Sequence, residues 1–274
     1  MGEERSFRGA AGFISVSHYY FEELRKRYPW FSSRLQTVIP FGAPQADFEH
    51  IKTHPALVPI PLKPDGCMHW VAVGSLGPSF SHALRVLFAG LRRLRDSHPD
   101  LVARVRLHFV GTSYAPVKEI TATALPIAEA YGVAEFVTEL PARVSYLDSL
   151  RLMKAASGLL LLGTDDPAYS PSKLYPYYIA DRPILALAHE GSLLRDLLRR
   201  LRCARVVTLL APGRETQPPA EVAEFFREVL ANNNPAHGQP DRDRPWFEKN
   251  LLAEVGARRQ CALFDEALLR HHGQ

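Results

Sequence analysis

Residues 158–188 read GLLLLGTDDPAYSPSKLYPYYIADRPILALA. Gly158–Gly163 is an apolar run with no polar alternation, the pattern of a strand buried on both faces. A loop with two carboxylates, Asp165 and Asp166, follows it. Ser170 then stands as a helix N-cap with Pro171 at the first helical position. A helix over Ser172–Ala180 leads to a second apolar run, Pro183–Ala188. A strand, a helix and a strand at this spacing make a crossover that pairs the two strands in parallel.

The same alternation extends in both directions. Strands are expected at Gly12–Ser17, Gln36–Pro40, His69–Gly74, Val105–Gly111, Ala134–Val137 and Ala204–Leu210. Helices are expected at Ser79–Ser97, Pro116–Tyr131, Ser145–Ala156, Ser192–Leu201, Pro219–Leu230 and Trp246–Arg270. The first of these carries an apolar stripe of Leu84, Leu87, Phe88, Leu91 and Leu94 with arginines opposite. The polar stretch Asn232–Pro245 breaks the pattern. The fold class is therefore α/β, a Rossmann-like parallel sheet with flanking helices and a helical tail. Three segments are expected: a lead-in over 1–65, a Rossmann-like domain over 66–231, and a linker with closing helices over 232–274.

Of the 274 residues, 46% are hydrophobic and 23% charged, the balance of a globular chain with a core. The net charge of +4 is spread without a basic block, which gives no footprint for nucleic acid. Cys67, Cys203 and Cys261 lie far apart, so neither a disulfide framework nor a zinc site is expected, and a reducing, cytoplasmic setting fits. No apolar run is long enough to span a bilayer. No P-loop, G-x-S-x-G elbow, H-E-x-x-H or other metal spacing occurs. The arginines of the Ser192–Leu201 region (Arg195, Arg199, Arg200, Arg202) form a basic amphipathic helix, a solvated face or one that touches a membrane surface.

Four stretches can do chemistry. Gly74, Ser75 and Gly77 lie between a strand and a helix start, where free N–H groups favour an anion; a plain turn has the same composition. Gly111 and Thr112 leave the next strand at its carboxyl end, where open α/β sheets bind ligands. Arg143 and Val144 precede the Ser145 N-cap. The segment from Asp165 through Ala168, Tyr169, Ser170 and Ser172 to Lys173 holds more charge and aromatic surface than a helix cap requires.

In order, these segments resemble the C-terminal domain of retaining GT-B glycosyltransferases, the large family-4 group. FISVSHYYFEELRKRYPWFSSRLQTVIPFGAPQADF is similar to the family's domain junction, and HWVAVGSLG to its first donor loop. GVAEFVTELPARVSYLDSLRLMKAASGLLLLG resembles the base-contacting stretch, and DDPAYSPSKLYPYYIADRPILALAHEGS the donor signature. The tail PWFEKNLLAEVGARRQCALFDEALL resembles the closing helices. The resemblance implies a hexose transferred from a nucleoside diphosphate sugar with retention, and no cofactor or metal beyond that substrate. Asp166 and Lys173 are the implied catalytic residues. The implied donor contacts are Gly74, Ser75, Gly77, Gly111, Thr112, Arg143, Val144, Asp165, Ala168, Tyr169, Ser170 and Ser172.

Two positions depart from the family pattern. Pro176 stands where the family places a ribose-holding glutamate, and the Gly74–Ser79 loop carries no cation. The resemblance also implies a partner, an N-terminal acceptor domain in cis or as a separate chain, with residues up to about Ala11 ending its last helix. A non-catalytic nucleotide- or protein-binding module is the alternative. A GT-B-shaped epimerase is a third reading, for which no paired acid and base stand in the sequence.

Overall fold

A computed structural model describes residues 2–55, 62–115, 119, 121–166, 168–210 and 217–272. In chain order, the first elements are α1 (Gly2–Gly9), β1 (Gly12–Ser15), α2 (His18–Arg27), β2 (Leu35–Val38), α3 (Gln45–Thr53), β3 (Met68–Val73), α4 (Ser81–Ser97), α5 (Pro99–Val102) and β4 (Val105–Val110). They are followed by α6 (Ala124–Ala130), β5 (Val137–Leu140), α7 (Tyr146–Ala155), β6 (Gly158–Leu162), α8 (Leu174–Ala180) and β7 (Ile184–His189). The last are α9 (Leu193–Leu201), β8 (Arg205–Leu209), α10 (Gln217–Ala231), α11 (Arg244–Leu251) and α12 (Ala253–His272).

Two compact units share these elements, residues 1–44 with 244–274, and residues 45–243. The first unit joins the two ends of the described chain by direct packing. Within the first unit, α12 packs on β1 and β2, a parallel pair, while in the second α3 packs on α7 and α8. The expected closing helix is two helices, interrupted where Leu252 forms a parallel bridge with Ala43.

The larger unit is built on a parallel sheet of order β5-β4-β3-β6-β7-β8. The chain runs outward from β3 through β4 to β5, then returns to the other side of β3 and runs out through β6, β7 and β8. The α/β architecture expected from the apolar runs is the one observed. The predicted stripe of α4 is buried and packs with α10, and Trp70 on β3 meets Phe225 and Phe226 edge-on at 5.2 and 5.6 Å. Opposite this ring a Cβ on Gly158 would fall inside Trp70, so β6 must begin with glycine.

Three elements differ from expectation. The strand expected at Ala134–Val137 is a 3-10 turn over Ala134–Phe136, and pairing with β4 begins at Val137. The sheet edge at β5 alternates buried and exposed residues, so it lacks the apolar run that marked the inner strands. Of the helix expected at Pro116–Tyr131, α6 covers Ala124–Ala130; residues 116–118 and 120 lie outside the described residues. The start of α8 lies at Leu174, and Lys173 holds the N-cap position instead of Ser170. Pro176 has no N–H to give the Ser172 carbonyl, so the first helical bond runs from Tyr177 N–H to Lys173 O at 3.0 Å. A tight turn from Pro171 to Leu174 precedes it.

Candidate functional site

The sheet order reverses between β3 and β6, and open α/β sheets leave a crevice beyond the carboxyl ends of the strands at such a point. A cavity of about 250 Å³ lies there, walled by Ala72–Leu76 at the end of β3 and Leu160–Leu162 of β6. Phe80, Tyr114, Arg143, Tyr169, Ser172, Lys173 and Tyr177 complete its lining. A second cavity of about 100 Å³ reaches toward Gly111, Val144, Tyr146 and Ser149, and shares Val73, Gly74, Arg143 and Lys173 with the first. Both cavities belong to the larger unit.

The electrostatics of this crevice are one-sided. Among the described residues, no carboxylate lines either cavity. Lys173 is partly buried; burial holds its pKa below the ordinary lysine value, and the Arg143 guanidinium pushes the same way. Among the described residues, neither cation has an acidic partner. Arg143 instead lies over the ring of Tyr114, 4.4 Å from its centroid, and that tyrosine is 75% exposed. Two cations that share a crevice without a counterion repel one another, and a bound anion would relieve that repulsion.

The backbone is shaped to suit. Gly74 has φ +123°, and its missing Cβ leaves room for Lys173 Cε, 3.2 Å from where that atom would stand. Gly111, also at positive φ, ends β4 beside Arg143. The fully buried Tyr177 accepts the Val73 N–H at 2.8 Å and fixes the exit of β3. Burial raises the Tyr177 phenol well above its ordinary pKa, so it keeps its proton to donate. Burial also pushes Tyr169 up to about 12, and its ring meets Phe80 edge-on at 5.8 Å.

No protein-family model matches the chain, and no curated protein is similar to it in sequence. Solved structures do match in shape. A glycosyltransferase from Rickettsia africae ESF-5 superposes with TM-score 0.61 at 11% identity, over 94% of this chain and 63% of that one. The sucrose-phosphate synthase of Thermosynechococcus elongatus gives TM-score 0.57 at 16% identity, over 94% of this chain and 58% of its own. The fold is shared with GT-B glycosyltransferases. WaaG, a glycosyltransferase involved in lipopolysaccharide biosynthesis, matches with TM-score 0.50 at 17% identity, over 84% of this chain and 58% of its own. The chain thus spans less than two thirds of the glycosyltransferases it resembles.

Within this GT-B frame, the structure brings together Gly74, Ser75, Gly111, Arg143, Val144, Tyr169, Ser172 and Lys173 on the two cavities. Gly77, Thr112, Asp165, Asp166, Ala168 and Ser170 do not line them. Gly77 precedes a one-turn 3-10 helix, Pro78–Phe80. Thr112 is buried and donates its hydroxyl to Glu139 at 2.6 Å. Asp165 and Asp166 are both exposed, and Asp166 Oδ1 accepts the N–H of buried Ala168 at 2.8 Å. Ser145 caps α7 as expected, accepting from the Asp148 N–H at 3.1 Å.

Sequence reasoning missed Phe80, Tyr114 and Tyr177, single aromatic residues without a motif, and Glu139. The Glu139 carboxylate accepts the N–H groups of Thr123, Ala124 and Leu125 at 2.8–3.1 Å and holds the start of α6. Among the described residues, no cluster of His, Cys, Asp and Glu is placed to hold a metal, and no helix is long and apolar enough to cross a membrane.

Proposed function

We propose that the crevice binds the diphosphate of a nucleoside diphosphate sugar, and that the chain is the donor-binding, C-terminal half of a retaining, family-4-like hexosyltransferase. The observation that carries this reading is the pair Arg143 and Lys173, set without a counterion at the point where the strand order reverses. A diphosphate between them relieves their mutual repulsion. The same charges then stabilise the leaving diphosphate as the glycosidic bond breaks, the point at which electrostatic preorganisation lowers a barrier. Tyr177 adds a neutral donor at the floor, and the backbone at Gly74 and Ser75 lets the ligand approach closely. The exposed ring of Tyr114, which Arg143 covers on one face, suits the base.

Lys173 carries the chemical role in this reading. Asp165 and Asp166, exposed on the loop beyond β6, are open to an acceptor. That acceptor would be held by a second domain, in cis or as a separate chain. The chemistry asks for no cofactor, and the free thiols Cys67, Cys203 and Cys261 fit a cytoplasmic setting.

A non-catalytic nucleotide-binding module is the second reading, favoured by the absence, among the described residues, of any carboxylate from the cavity lining. Calorimetric titration with UDP, GDP and ADP tests the shared claim. One nucleotide is expected to bind saturably, and Lys173→Ala to weaken it by on the order of tenfold with the fold intact. No saturable binding at millimolar ligand overturns both readings. Asp166→Asn separates them: transfer or donor hydrolysis that falls at unchanged affinity supports the enzyme, and unchanged turnover removes Asp166 from the mechanism.

A further inference from the structure

On the far edge of the same sheet, three strands away from β3, four arginines surround another cavity of about 430 Å³. Arg195 and Arg199 come from α9, Arg202 from the residue that ends it, and Arg205 from β8; Thr208 and Gly238 also line the space. It shares no lining residue with the crevice at β3 and β6.

The charges are not balanced in place. Arg199 reaches Asp196 only at 3.8 Å, and Arg205 meets Glu228 at 3.2 Å. Among the described residues, Arg195 and Arg202 have no acidic partner. Helix electrostatics account for part of the cluster and fail for the rest. Arginines at the C-terminal end of α9 complement its dipole, yet Arg195 lies in the first turn, where the dipole opposes a cation. Arg202 sits in the left-handed region at φ 50°, a C-cap geometry in which glycine is at ease and an arginine is strained. The cluster therefore keeps arginine at two positions where local structure disfavours it.

We propose that this cavity is a second anion site, taking a small phosphorylated ligand through guanidinium forks. Arginine presents paired donors that match phosphate oxygens, and the volume suits a phosphorylated headgroup or metabolite-sized molecule. Such a group is carried either by a soluble molecule or by an anionic lipid.

The test uses the full chain with the crevice silenced by R143A/K173A, and adds R195A/R202A to that parent. One probe is inorganic pyrophosphate, followed by calorimetry. The other is sedimentation with phosphatidylcholine vesicles, with and without phosphatidylglycerol. Circular dichroism checks that both proteins are folded. Pyrophosphate binding by the parent that weakens at least roughly tenfold in the arginine variant assigns a soluble ligand. Binding only to phosphatidylglycerol vesicles, lost in the variant, assigns a lipid headgroup. If neither probe distinguishes the variant from its parent, the site is wrong.

Discussion

Gly74 leaves β3 at φ +123°, and Lys173 Cε occupies the neighbourhood of its absent Cβ at 3.2 Å. Alanine at this position is strained by the backbone angle and pushes the lysine away. Gly74→Ala is therefore expected to weaken nucleotide diphosphate binding through Lys173. In a double-mutant cycle, G74A and K173A together should weaken binding little more than K173A alone. Fully additive losses would show that the glycine acts on the ligand independently of the lysine. Tyr177 makes a different kind of prediction. Its hydroxyl is the acceptor for the Val73 N–H, and the pair is buried. Tyr177→Phe strands that donor, at a cost of about 1–3 kcal/mol in urea unfolding. Stability equal to wild type would mean that the N–H finds another partner. The two substitutions separate roles: Gly74→Ala acts mainly on affinity, and Tyr177→Phe on stability as well as affinity.

One carboxylate sets the geometry of two elements. Glu139, on the edge strand β5, caps the start of α6 and takes the Thr112 hydroxyl at 2.6 Å, tying the exit of β4 to that helix. Glu139→Ala is expected to lower stability by about 1–3 kcal/mol. It should also raise hydrogen exchange at Gly111–Ser113 and at the first turn of α6. Exchange that rises in α6 alone would remove Thr112 from the linkage. Sequence could not show this cap, because it comes from another element and Thr123, the residue at the cap position, makes no side-chain cap bond. What sequence did show follows from burial. Strands covered on both faces, such as β3, β6 and β7, are apolar over most of their length and stand out as runs, and the α4 stripe stands out by its period. Edge strand β5 has one wet face and leaves no such run. Ser170 and Pro171 have the composition of a helix start, but the missing N–H of Pro176 leaves α8 to begin at Leu174. In the crevice the glycines and cations were visible through their neighbours along the chain. Tyr114 and Tyr177 join the site only through the fold.

On β3, β4 and the loop before β3, the larger unit holds a chain of titratable groups that couples its stability to pH. His69 Nε2 meets Asp65 at 3.0 Å, and His69 Nδ1 meets His108 Nε2 at 2.9 Å. A carboxylate can only accept, so His69 donates through Nε2, and a neutral His69 then accepts at Nδ1 from His108. Both rings are buried. Burial, and then the neighbouring His69, lower the His108 pKa from 6.5 to about 4. Between these values the unfolded chain binds a proton that the folded chain refuses, so stability rises with pH across the window. The contribution is fully present above pH 6.5 and is lost as pH falls toward 4. Its size is at most roughly 3 kcal/mol. Asp65, held at about 2 chiefly by the Cys67 backbone N–H, titrates below that range and does not mask it. Urea unfolding at a series of pH values should therefore show stability falling from pH 6.5 to 4, and His108→Gln should flatten the fall. Glutamine can still donate an N–H to His69 Nδ1 but cannot take up a proton. An equal slope in the variant and the wild type would place the acid sensitivity elsewhere in the molecule.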